Sequence, residues 1–89
     1  MHSHLTSDFI SCFAELPPRI KELASKNYKL WKRDPAHPSL QFKRVGIRKP
    51  VYSIRVGIGW RALGLRLDDT IIWFWIGPHA RYDRIIPRM

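Results

Sequence analysis

Apolar and polar residues alternate on a period of two from Pro50 through Val51-Tyr52-Ser53-Ile54-Arg55-Val56, the spacing of a half-buried strand. Gly57-Ile58-Gly59 interrupts the pattern and Trp60-Arg61-Ala62-Leu63-Gly64-Leu65-Arg66-Leu67 resumes it, which predicts a hairpin. Asp68-Asp69 then occupies the place of a tight turn, without the glycine that eases one, and Thr70 to Ile76 is an unbroken β-branched and aromatic run. The prediction is a three-stranded antiparallel meander that leaves the sheet at Gly77-Pro78.

A three-residue loop at Gly57 to Gly59 sets Val56 opposite Trp60 and Arg55 opposite Arg61, and carrying that register onward sets Arg61 opposite Ile76. Tyr52, Ile54, Val56, Trp60, Ala62, Trp73 and Trp75 then share the face that packs on helices, with aromatics over the small Ala62 and Gly64. The opposite face holds Ser53, Arg55, Arg61, Leu63, Leu65, Ile72, Phe74 and Ile76. Like charges directly across a strand pair cost about 0.2–1 kcal/mol, so the two guanidiniums are best accounted for by an anion between them, phosphate above all. Two solvated arginines, or a two-residue loop that separates them, are the alternatives. The oily end of that face, Leu63, Leu65, Ile72 and Phe74, calls for a covering partner.

Upstream the period changes to that of a helix. Thr6 or Ser7 can cap a first helix carrying Phe9, Ile10, Phe13 and Leu16, which stops at Pro17-Pro18. Those prolines open a second helix, where Ile20, Leu23, Ala24, Asn27, Leu30 and Trp31 mark one face and lysines and arginines crowd the rest. Asp34-Pro35 ends it, and a proline-bounded loop with His37 leads to a short strand over Leu40 to Val45. Gly46 to Lys49 is a basic turn that adds Arg48 and Lys49 to the cationic surface, and Ala80 to Ile86 forms a last turn of helix.

Composition narrows the class. Eighty-nine residues form one domain, 1–89, and the formal charge of +9 points to a polyanionic partner, nucleic acid or an acidic protein. One cysteine, Cys12, excludes an internal disulfide; with no membrane-length apolar run, a cytoplasmic protein is expected. No glycine loop opens a helix to cradle nucleotide phosphates, and His2 and His4 lack the further ligands of a metal site.

Several strings in order resemble the RelE/ParE superfamily of toxins from bacterial type II toxin–antitoxin systems: Leu16-Pro17 before a basic helix, Tyr28-Lys29-Leu30-Trp31, Asp34 to Leu40 and Phe42-Lys43. The likeness continues through Tyr52 to Gly57, Trp60 to Gly64 and Trp73 to Asp83. It implies an α+β, RelE-like fold: two N-terminal helices on a three- to four-stranded antiparallel sheet, with a short C-terminal helical segment. Compared with many relatives, the chain leaves little room for a strand before the first helix.

The resemblance further implies a cognate antitoxin, for which Leu63, Leu65, Ile72 and Phe74 are the expected binding face. It also implies one of two targets. RelE-like and HigB-like members cleave messenger RNA on the ribosome, whereas ParE-like members poison DNA gyrase and lack the nuclease residues. The nuclease chemistry needs neither cofactor nor metal: a base for the 2′-hydroxyl, cations for the phosphate and a donor for the departing 5′-oxygen. His79 suits general acid–base work because imidazole changes charge near neutrality, and Tyr82, three residues on, can donate a proton or stack on a base. Arg55 and Arg61 would hold the scissile phosphate, with Lys43 as a further cation and Arg81 on an adjacent phosphate. Capping or packing for His79, anchoring for Tyr82, and an inactive basic binding module for the whole chain are the competing readings.

Overall fold

A computed structural model describes residues 1–89. Its five strands are β1 (His2–Leu5), β2 (Lys43–Arg44), β3 (Val51–Gly57), β4 (Trp60–Leu67) and β5 (Thr70–Pro78), in the spatial order β1-β5-β4-β3-β2. The helices are α1 (Ser7–Ala14), α2 (Pro18–Arg33) and α3 (His79–Ile85). The expected α+β architecture is present, with one strand more than the three to four anticipated.

The additional strand is β1, which lies parallel to β5 with His2 opposite Thr70 and Leu5 opposite Trp73. His-Ser-His-Leu carries little strand propensity of its own. It is held by tertiary pairing, through His2 N donating to Asp69 O at 2.8 Å and Thr6 N donating to Trp73 O at 3.1 Å. Thr6 also caps α1, its hydroxyl accepting from Phe9 N at 3.1 Å and donating to Trp73 O at 2.9 Å, so one residue ties strand, helix start and sheet together. The strand expected over Leu40 to Val45 shrinks to Lys43–Arg44, because Pro38–Leu40 turns as a 3-10 helix and Gln41, with φ 48°, reverses the backbone.

Both long helices lie on one face of the sheet. α2 buries Ile20, Ala24 and Trp31 against Ile54, Val56, Ala62, Trp73 and Ile76, while Leu40 closes the end of this core. Trp31 is the hub: it meets Phe42 and Trp73 edge to face, with centroids at 5.7 and 5.4 Å, and Tyr28 in a stacked contact at 6.2 Å. α1 sits over β5 without burying any residue completely. Between the two helices an apolar groove of about 190 Å³ remains, bordered by Phe9, Phe13, Tyr28 and Val56.

The meander forms with two phase slips. In the first hairpin the loop is two residues, Ile58-Gly59, and a bulge between Arg55 and Gly57 sets Gly57, not Val56, opposite Trp60. Gly59 supplies the left-handed turn conformation at φ 78°; in the second hairpin Asp68 does so at φ 55°. On β5 an irregularity opposite Leu63 and Gly64 accommodates Phe74, so Arg61 faces Gly77 rather than Ile76. Ile76 consequently enters the helix-side core and Trp75 turns to the far face, the reverse of the expected assignment for both.

Gly64 is the floor under this aromatic core. A Cβ there would lie 2.5 Å from Ile71 Cγ2 and 2.8 Å from Trp73 Cε3, both in fully packed side chains. Gly64→Ala is therefore expected to lower the unfolding free energy by about 1–3 kcal/mol, measured by urea titration. An unchanged midpoint would show that the Trp73 ring can move aside.

Candidate functional site

The far face, away from α1 and α2, is where most of the singled-out residues gather. Ile54 and Ala62 belong to the core, so their neighbours Ser53, Arg55, Arg61 and Leu63 point the other way. The bulge restores what the shorter loop would have undone: Arg55 stands directly opposite Arg61, and Arg61 directly opposite Gly77. A Cβ on Gly77 would come within 2.7 Å of the Trp75 ring, so the indole occupies the space that a side chain beside Arg61 would fill.

The hairpin tip holds the Arg61 guanidinium and the backbone of His79. Arg61 Nη1 donates to Trp60 O at 2.9 Å and to Gly57 O at 3.3 Å, while His79 N donates to Gly59 O at 2.7 Å. Arg55 also lines a shallow cleft with Arg19, Asn27 and Ser39, at the rim where the sheet meets α2. Arg61 from β4 and His79 from the start of α3 are thus attached to one turn, with Arg55 the register partner of Arg61 on β3.

α3 is started by Pro78, whose fixed φ suits the entry to a helix. It holds His79, Tyr82 and Asp83 at positions i, i+3 and i+4, which share a helix face. His79 Nδ1 lies 3.0 Å from Asp83 Oδ2, and the His79 and Tyr82 rings are 5.1 Å apart at 40°. Tyr82 Oη donates to the buried Ser53 Oγ at 3.3 Å, which docks α3 on the sheet. Ser53 is the register partner of Lys43, so Lys43 stands on the same face beside the tyrosine anchor.

The remaining residues separate. Arg48 and Lys49 lie beyond the Val51 end of β3, roughly 20 Å along the strand from the hairpin tip. Their amides donate to Met89 O at 2.9 and 3.1 Å, joining that loop to the C-terminal segment. Arg81 is exposed on α3. Leu63 is completely buried, whereas Leu65, Ile72 and Phe74 are half-buried. His37 is a loop residue whose Nδ1 accepts from Ser39 N at 3.2 Å. Ser53 and Asp83 were not singled out from the sequence. The i, i+4 spacing of His79 and Asp83 was visible there, but Ser53 needed the register of β2 and the docking of α3.

The family profile described as the ParE-like toxin domain matches residues 18–84. A comparison with curated protein sequences finds no match. Among solved structures, the chain is similar to a RelB–RelE antitoxin–toxin complex from Methanococcus jannaschii, at 18% identity and TM-score 0.74, covering 94% of this chain and 99% of that one. It is similar also to the RelE–RelB complex of Pyrococcus horikoshii OT3, with 13% identity, TM-score 0.70 and coverage of 90% and 96%. The toxin–antitoxin complex RelBE2 from Mycobacterium tuberculosis matches at 20% identity and TM-score 0.65, over 86% and 95%. These likenesses establish a RelE-type fold, and with three-quarters of the chain inside the matched profile, the protein belongs to the ParE-like toxin domain family of the RelE/ParE superfamily.

Proposed function

We propose that this toxin is an endoribonuclease that cleaves messenger RNA on the ribosome and so inhibits translation. The observation that carries the reading is the meeting of Arg55, Arg61 and the His79 backbone at one hairpin tip. Arg55 and Arg61 are cross-strand partners, and a phosphodiester bound beside them would relieve the cost of placing like charges at paired positions. His79 takes the proton from the 2′-hydroxyl and the 2′-oxygen attacks phosphorus. The bond to the 5′-oxygen breaks, leaving a 2′,3′-cyclic phosphate, and Tyr82 protonates the departing oxygen. Lys43 and Arg81 extend the cationic surface along the strand of RNA, with Arg48 and Lys49 as a more distant contact. The net charge of +9 favours such a polyanion.

An antitoxin partner is proposed from the solved relatives, which are toxin–antitoxin complexes. The half-exposed Leu65, Ile72 and Phe74 are the part of the expected antitoxin face open to it, with buried Leu63 beneath.

The matched profile is described as ParE-like, which favours a second reading, inhibition of DNA gyrase without nuclease activity. Induction of the protein in bacteria without its antitoxin, followed by mapping of transcript 5′ ends, separates the two. New ends clustered within translated frames are expected. Intact transcripts together with a DNA-damage response would overturn the nuclease reading in favour of gyrase.

A further inference from the structure

We infer that Asp83 is a positioning residue that fixes the tautomer and orientation of His79; this rests on the nuclease reading above. The imidazole emerges at the first residue of α3, its backbone N–H committed to Gly59 O at 2.7 Å, so the Cα is fixed while the ring is 42% exposed. An exposed imidazole held only by its backbone would sample several rotamers. Two contacts restrain it: Asp83 Oδ2 at 3.0 Å from Nδ1, and the tilted ring of Tyr82 at 5.1 Å. Tyr82 is itself held by its bond to buried Ser53.

The chemistry follows from which nitrogen is occupied. An ionised carboxylate is an acceptor only, so Nδ1 beside it carries the proton. The neutral ring then has its lone pair on Nε2, at the opposite corner, free to accept the 2′-hydroxyl proton. In water neutral imidazole favours the other tautomer, with Nε2 protonated and unable to act as a base. Asp83 therefore selects the competent form. Because the carboxylate is 61% exposed, its main effect is on orientation and tautomer rather than on folding.

Long-range proton–nitrogen correlation NMR of the 15N-labelled protein reads the tautomer of His79 directly, assigned against His79→Gln. Wild-type protein is expected to show the Nδ1–H form; Asp83→Ala should shift it toward Nε2–H, and Asp83→Asn, which keeps a carbonyl acceptor, should retain Nδ1–H. Cleavage of ribosome-bound message should fall about tenfold in Asp83→Ala and much less in Asp83→Asn, with unchanged circular dichroism in both. An Nε2–H wild-type ring, or an Asp83→Ala tautomer and cleavage rate identical to wild type, would overturn the inference. Absence of cleavage by the wild-type protein, with the tautomer responding as expected, would instead reject the nuclease reading and leave the positioning of the ring standing.

Discussion

Trp31→Ala is expected to remove about 3–5 kcal/mol of folding free energy. Trp31 has no solvent exposure and joins α2 to both the sheet and the loop before β2, through Trp73 and Phe42. Truncation would leave a void the size of an indole, with rings on several sides that cannot all collapse into it. For a small domain whose whole stability lies in the range of about 5–15 kcal/mol, much of the folded population would be lost.

Trp31→Phe is expected to cost far less than the lost volume suggests. The Nε1 groups of Trp31 and Trp73 are buried without a hydrogen-bond acceptor. Replacing the indole with phenyl deletes an unpaired donor that was desolvated on folding, which offsets part of the lost packing. Guanidinium titrations of the two variants, followed by far-ultraviolet circular dichroism, check this pair of expectations. A Trp31→Phe loss equal to that of Trp31→Ala would mean that the orphaned donor carries no penalty.

The contrast between elements that could be read from sequence and those that could not has a physical basis. Thr6, the prolines at 17 and 18, and Asp34-Pro35 act locally, so the start of α1 and both ends of α2 were legible, whereas α1 stops at Ala14 and leaves Leu16, expected on that helix, in the turn before Pro17. Helix spacing likewise marked Ile20, Ala24 and Trp31 for the core. β1 was not legible, because its four residues become a strand only when the free edge of β5 is there to pair with them. The slip at Phe74 was hidden for a different reason. Thr70 to Ile76 is apolar almost throughout, so no polar position marks the residue at which the alternation changes phase. Trp75 and Ile76 exchanged faces as a result. At the first hairpin two deviations compensated: the loop was one residue shorter than expected and the bulge added one back, so the Arg55–Arg61 pairing held. Residues from α3 could be placed near the tip by chain order, but the Tyr82–Ser53 and His79–Asp83 contacts depend on how the helix docks.

Arg61→Ala and His79→Ala are each expected to abolish growth arrest, with cleavage of translated message reduced by about 10²–10³-fold for the arginine and about 10²–10⁴-fold for the histidine. Neither side chain is a core residue. Arg61 donates to two carbonyls at the solvent-facing hairpin tip, which water can satisfy in its absence, and the His79 anchor to Gly59 is a backbone bond that alanine keeps. Both variants should therefore remain folded, with unchanged circular dichroism and denaturation midpoints within about 1 kcal/mol of wild type. Arg61→Lys should recover only part of the activity, since an ammonium retains the charge but loses the planar fork that grips two phosphate oxygens. If guanidinium and imidazole act on the same phosphodiester, the double alanine variant should be hardly worse than the more damaged single one, because each removal already disables the step the other serves. Losses that multiply would place the two groups on separate tasks, and retained toxicity in both single variants would remove both from the site. A gyrase-directed toxin in particular would tolerate both changes while keeping its fold.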